Sequence, residues 1–160
     1  MDETTTRYVE KLGSVFNEWN LPQIAGQVFG LLLLTTGAGL TATDLAQRLS
    51  ASSGSISTMT GLLVRAGALD RLRPPGERQY RYRVVDDFLI HSTEHKLHAA
   101  ANMYNLMEEG SKIAPDRHSR ERLHEMADFY QFFEQEASQI MERWKQSRLI
   151  LQSSTNKEAE

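Results

Sequence analysis

The stretch from Leu40 to Val84, LTATDLAQRLSASSGSISTMTGLLVRAGALDRLRPPGERQYRYRV, constrains the fold more than any other part of this chain. It carries three local signals in a fixed order. Thr41-Ala42-Thr43-Asp44 has the form of a capping box and predicts a short helix with Leu45, Ala46 and Leu49 turned inward. Ser50-Ala51-Ser52 leaves room only for a sharp turn, and Ser52 is a good N-cap for a second helix, Ser53–Ala66. In that helix Ile56, Met59, Leu63 and Ala66 recur at helical spacing and predict the buried stripe, and Gly67 supplies the left-handed stop. Leu69 to Arg73, a turn at Pro74-Pro75-Gly76-Glu77, and a second arm from Arg78 to Val84 follow. The second arm alternates Tyr80, Tyr82 and Val84 against Arg81 and Arg83, the period of a strand, so the segment reads as a β-hairpin. Two short helices and a hairpin make a winged helix-turn-helix. The expected fold class is mainly α with a small β-hairpin, the winged module being joined to a long α-helical dimerisation region.

The side of the second helix opposite its apolar stripe is made of small and hydroxyl residues. Ser53, Gly54, Ser55, Ser57, Thr58 and Gly61 are followed by one cation, Arg65. An ordinary surface helix shows Glu and Lys to water. Hydroxyls and glycine instead let the backbone approach a groove wall, where Ser and Thr bond base edges or phosphates and a threonine methyl meets a thymine methyl. The pattern alone fits equally a serine-rich capped helix with no partner, and an arginine-bearing hairpin alone is usually a solvated edge strand. In direct succession they point to double-stranded DNA, with Arg71, Arg73, Arg78, Gln79 and Arg81 as the wing's contacts and Thr41 and Ser52 as the caps of the reading head. The charge distribution agrees. Leu40 to Val84 holds seven arginines against Asp44, Asp70 and Glu77, a local +4, leaving −7 for the rest of a chain whose formal net charge is −3.

The flanks read as helical support. Met1 to Thr6 is polar and expected to fray. Tyr8, Leu12, Val15 and Trp19, with Val9 and Phe16 alongside, predict an amphipathic helix from Arg7 to Trp19, its aromatic face laid against the C-terminal helices. Pro22 suits the first position of a second helix that is apolar on nearly every side. Gly26 and Gly30 permit close approach of another helix there, and Gly37 and Gly39 end it. From Asp86 the chain is helical again, with Phe88, Leu89, Leu97, Ala100, Ala101, Tyr104 and Met107 apolar, up to a break at Pro115-Asp116. Leu123, Met126, Tyr130, Phe133, Ala137, Ile140 and Trp144 then form a heptad seam. Its partner could be a symmetry mate, the 86–110 helix, the N-terminal helix or all three. A two-fold homodimer is the economical answer, since it would bury the seam and present two recognition helices to a pseudo-palindrome. The expected organisation is 20–85 for the DNA-binding module, 1–19 and 86–152 for the dimerisation region, and 153–160 for a polar tail.

Other functions find little support. The chain has no cysteine, no apolar run of the roughly 18 residues a membrane span needs, and no basic start of a signal peptide, so a cytoplasmic location without a membrane partner is expected. No G-x-S-x-G, H-E-x-x-H or phosphate-cradling glycine loop is present, and no enzyme or cofactor is expected. His91, Glu94, His95 and His98 share one helix face with zinc-compatible spacing, although such a face is more often a solvated one. Trp19, Phe88, Met103, Tyr104, Met107, Phe129, Phe133 and Trp144 would suit a small-molecule pocket or, more commonly, a core.

Ala25-Gly26, LLLL, TDLAQRL, SSGSISTMTGLLVRAGAL and PPGERQYRYRV together resemble the GbsR-type branch of the MarR family of winged-helix regulators, over roughly residues 20 to 90. That resemblance implies a homodimeric DNA-binding repressor or activator with an α-rich dimerisation region and a ligand pocket between that region and the reading heads. It assigns the recognition helix to Ser53–Ala66 and the wing-tip basic residue to Arg78. Related sequences often carry basic residues near Ser53 and Gly61, which this chain lacks, so its affinity would lean on the wing. The expected function is a sequence-specific regulator of transcription, a repressor responsive to a small-molecule effector and acting as a homodimer on a pseudo-palindromic operator. The alternatives are a winged-helix protein-interaction scaffold and a metal-sensing regulator using His91, His95 and His98.

Overall fold

The computed structural model describes the backbone of residues 1–158 and the side chains of residues 1–149. The elements run α1 (Glu3–Glu18), α2 (Gln23–Leu33), β1 (Leu40–Thr41), α3 (Ala42–Arg48), α4 (Ser53–Arg65), β2 (Leu69–Leu72), β3 (Arg81–Val84), α5 (Phe88–Ile113) and α6 (Arg117–Glu158). The fold is mostly helical with one small antiparallel sheet, as the sequence predicts. The chain divides into two compact units, Met1–Phe88 and the α5–α6 segment from Leu89 onward.

In the first unit the core gathers where α2 crosses the reading head. Ala25, Val28, Leu31 and Leu32 of α2 meet Leu45 of α3, Ile56 and Leu63 of α4, and Leu40 and Leu69 of the sheet, all buried. Val9 joins them from α1. The apolar side of α1 therefore packs on α2. Glycine is what permits it: a Cβ on Gly26 would lie 2.7 Å from the Leu12 carbonyl oxygen and 2.9 Å from the Gly13 Cα. Trp19, expected in that buried face, is 67% exposed, stacked beside Phe16 with ring centroids 6.2 Å apart.

Several boundaries differ from expectation. Helix α1 starts at Glu3 because Asp2 accepts the Thr5 N–H at 2.8 Å as an N-cap, so the first residues are ordered into a turn. Pro22 is the N-cap of α2, with ψ 129°, one residue before the position predicted for it. Leu33 and Leu34 are 46% and 52% exposed at the C-terminal end of α2, a helix whose nearly all-round apolar surface predicted a place at the centre of the module. Helix α6 runs on to Glu158 through the segment read as a polar tail, whose side chains lie outside the described residues.

The sheet has order β1-β3-β2, antiparallel throughout, with Leu40 opposite Tyr82 and Leu69 opposite Val84. The ladder of the hairpin ends at the pair Leu72 and Arg81, so Arg78 to Tyr80, predicted as part of the second arm, lie outside β3. Pro74 and Pro75 lack the N–H groups a continuing ladder would need. At the sheet's other edge Gly39 has φ +80° and a Cβ there would collide with the Tyr82 carbonyl, so only glycine brings β1 so close to β3.

In the second unit α5 and α6 form an antiparallel hairpin. Lys145 Nζ donates to Glu94 at 2.7 Å near one end, and His124 Nδ1 lies 3.3 Å from Glu108 near the other. Asp116 caps α6 by accepting the Ser119 N–H at 2.7 Å. The heptad seam of α6 is split by this arrangement. Leu123, Ala127, Tyr130 and Ala137 are buried or half-buried, whereas Met126, Phe129, Phe133, Ile140 and Trp144 remain between 42% and 60% exposed. Among the described residues no helix is long and apolar enough to cross a membrane.

Candidate nucleic-acid interface

The reading head is set by two caps. Thr41 Oγ1 accepts the Asp44 N–H at 3.1 Å while the Asp44 carboxylate accepts the Thr41 N–H at 2.9 Å and the Thr41 hydroxyl at 2.7 Å, closing the capping box of α3. These two Thr41 donors, hydroxyl first, hold the Asp44 carboxyl below the usual carboxylate range. Ser52 Oγ accepts the Ser55 N–H at 3.1 Å and fixes the start of α4. Ile56 and Leu63 anchor one side of α4 in the core. Thr60, which the sequence reading passed over, lies fully buried between them, its hydroxyl donating back to the Ile56 carbonyl at 2.8 Å. Its spacing, four after Ile56 and three before Leu63, was the available signal.

The outer face of α4 consists of Ser53, Gly54, Ser57, Thr58 and Arg65, all exposed, with Ser55 and Gly61 half-buried beside them. A Cβ on Gly54 would meet nothing within 4 Å, so this glycine answers no internal packing need. The Thr58 hydroxyl donates to the Gly54 carbonyl at 3.0 Å. With its proton so committed, Thr58 offers outward an acceptor lone pair and a methyl group, which suit an exocyclic amine or a thymine methyl and not a phosphate oxygen.

The wing sorts its arginines by sheet face. Arg81 Nε donates to the Glu77 carboxylate at 2.7 Å and its Nη1 to the Gly39 carbonyl at 3.1 Å, so it braces the hairpin against the start of β1. Glu77 raises the Arg81 pKa further. Arg83 pairs with Asp70 across the strands at 3.1 Å. On the opposite face Arg71 stacks over the Tyr80 ring, its Cζ 3.6 Å from the centroid, with Arg73 at 5.8 Å. The Arg73 Nε also donates to the Glu77 carbonyl at 3.1 Å. Arg78 and Gln79 are exposed at the tip, and neither is engaged by another described residue. Arg81, predicted as a contact, is thus occupied internally, while Arg78 and Arg65 are open cations.

The histidine face of α5 does not converge on a metal. Glu94 is engaged by Lys145, which lowers its pKa, and His91 Nδ1 lies 3.6 Å from the same carboxylate. Among the described residues no group of three His, Cys, Asp or Glu side chains has metal-holding geometry.

Over 142 residues the chain is 31% identical to the HTH-type transcriptional regulator MmpR5 of Mycobacterium tuberculosis (strain ATCC 25618 / H37Rv), a match covering 87% of this chain and 86% of the relative. The chain belongs to the MarR family of transcriptional regulators. A family model described as an MmpR5-like MarR family transcriptional regulator matches residues 87–147, a range that takes in α5 and most of α6. A crystal structure of a transcriptional regulator superposes with a TM-score of 0.76 at 30% identity, covering 89% of this chain and 99% of that one. This MarR-family chain is accordingly a DNA-binding regulator and not an enzyme, and the capped helix pair with its hairpin is the family's winged helix.

Proposed function

We propose that this MarR-family regulator acts in the cytoplasm as a homodimeric repressor, with α4 of each copy in a major groove and each wing at an adjacent minor groove of a pseudo-palindromic operator. The observation that carries the reading is the outer face of α4, small and hydroxyl-bearing, next to a wing whose tip cation Arg78 has no internal partner. In this reading Ser53, Gly54, Ser55, Ser57, Thr58, Gly61 and Arg65 face the groove and Arg71, Arg73, Arg78 and Gln79 meet the backbone. The GbsR-type branch rests on residues of the reading head alone, whereas the likeness to MmpR5 extends over 87% of the chain. The open stripe Met126, Phe133, Ile140 and Trp144 supports pairing through α6, with 1–19 and 86–152 as the dimerisation region. An apolar cleft of about 320 Å³ between α5 and α6, lined by Ala99, Ala100, Met103, Phe129, Tyr130 and Phe133 with Lys96 at its edge, supports an effector.

Fluorescence anisotropy on random-sequence genomic DNA across a salt series tests the DNA reading. Binding should fall by orders of magnitude between low and moderate salt, and Arg78→Ala should weaken it with a salt slope shallower by about 1. Binding that ignores both salt and Arg78 would favour the protein-scaffold alternative.

A further inference from the structure

Tyr80 stands out among the aromatics of the first unit because arginines, and not the core, surround its ring. It is 40% exposed, lies just outside β3, and has Arg71 stacked on it with Arg73 at cation–π distance. The sheet register explains the cluster. Arg71 is opposite Tyr82 and the ladder ends one pair later at Leu72 and Arg81, so Arg73 and Tyr80 are the next residues beyond it, and residues two apart share a face. This is the face that packs Leu69, Tyr82 and Val84 against the core. Where the hairpin runs past the core, the same face continues with Arg71, Tyr80 and Arg73.

We propose that Tyr80 is a positioning residue for DNA binding: its ring gathers Arg71 and Arg73 into one ordered dication just below the turn of the wing. The proposal rests on the DNA-binding reading and adds to it a residue that makes no DNA contact of its own. A guanidinium stacked on a ring uses its face, and its N–H donors, which lie in the guanidinium plane, stay free for phosphate oxygens. Arg73 spends its Nε on the Glu77 carbonyl and keeps its terminal nitrogens. Two long side chains ordered before binding lose less freedom at the phosphate than two mobile ones. The other two β3-side arginines have acids as partners, Glu77 and Asp70, whose charge offsets theirs. A ring orders cations without neutralising them, which is why an aromatic serves here where a carboxylate would not.

The test compares the full chain with Tyr80→Phe, Tyr80→Leu and Arg78→Ala, by anisotropy on a 30-base-pair random-sequence duplex over a salt series. Tyr80→Phe should match the parent, and Tyr80→Leu should bind about threefold to tenfold more weakly at every salt with the slope unchanged, because the cations remain and only their order is lost. Tyr80→Leu equal to or tighter than the parent overturns the proposal, as does equal weakening by Phe and Leu, which would mean that the hydroxyl touches DNA. Weakening by Arg78→Ala beside an unaltered Tyr80→Leu refutes this inference alone. Salt-insensitive binding by the parent refutes the DNA reading and this inference with it. A second readout covers a leucine variant that fails to fold. The Arg71 Cδ protons should resonate upfield from the ring current in the parent and in Tyr80→Phe, and their absence there overturns the stacking.

Discussion

Thr41 and Asp44 bind each other at the first turn of α3, and the pair links sequence, stability and pH in one place. A capping threonine is worth about 1 kcal/mol, so Thr41→Ala should lower unfolding stability by about that amount in a urea titration at neutral pH. Asp44 titrates lower in the folded chain than unfolded, so its contribution is fully present above the ordinary carboxylate range and is lost as pH falls through the folded value. The gap between parent and Thr41→Ala should therefore shrink on acidification, and a gap constant with pH would leave the carboxylate out of the cap. The capping box was legible from four letters because both partners sit within one turn. The arginines were not. Alternation told which of Arg81 and Arg83 share a face, but their engagement depends on Gly39, forty-two residues from Arg81, and on Asp70 across the hairpin. No local pattern contains that information.

At the scale of elements, the winged helix was readable because each part announces itself by a cap, a stop or a turn. What escaped was pairing between parts. Strand β1 is only two residues long, too short for a periodic signal, and exists because Gly39 lets Leu40 lie against Tyr82. The partner of α1 was equally hidden, since an amphipathic helix specifies a face and not its mate. Gly26 carried a hint of close helix approach, and the structure identifies the approaching helix as α1. Gly26→Ala should test that contact. Alanine improves helix propensity by about 1 kcal/mol, but its Cβ meets backbone of α1 that cannot swing aside as a side chain would. The net expectation is destabilisation by about 1–3 kcal/mol in chemical denaturation. A neutral or stabilised variant would show that α1 is loosely held.

For the whole molecule, the basic winged head and acidic remainder give a protein of net charge −3 one face suited to a polyanion. The sequence offered α5 among several partners for the α6 seam but could not say which seam residues it would take. Periodicity gives the stripe, and only tertiary packing divides it. Ile140 is 55% exposed on the open part, so Ile140→Glu should shift sedimentation toward monomer and weaken operator binding while leaving helical circular dichroism in place. A dimer unaffected by that charge would place the interface elsewhere. The division also has an evolutionary side. The residues that close the α5–α6 hairpin, Leu123, Ala127, Tyr130 and Ala137, are distinct from the open Met126, Ile140 and Trp144, whereas Phe129 and Phe133 also line the cleft against α5. If the copies pair through α6 as proposed, drift at Met126, Ile140 and Trp144 would change which chains recognise one another while sparing the residues that close each chain's own hairpin. After a gene duplication, two sister regulators pairing in that way would have a ready means of sorting into separate pairs within one cell.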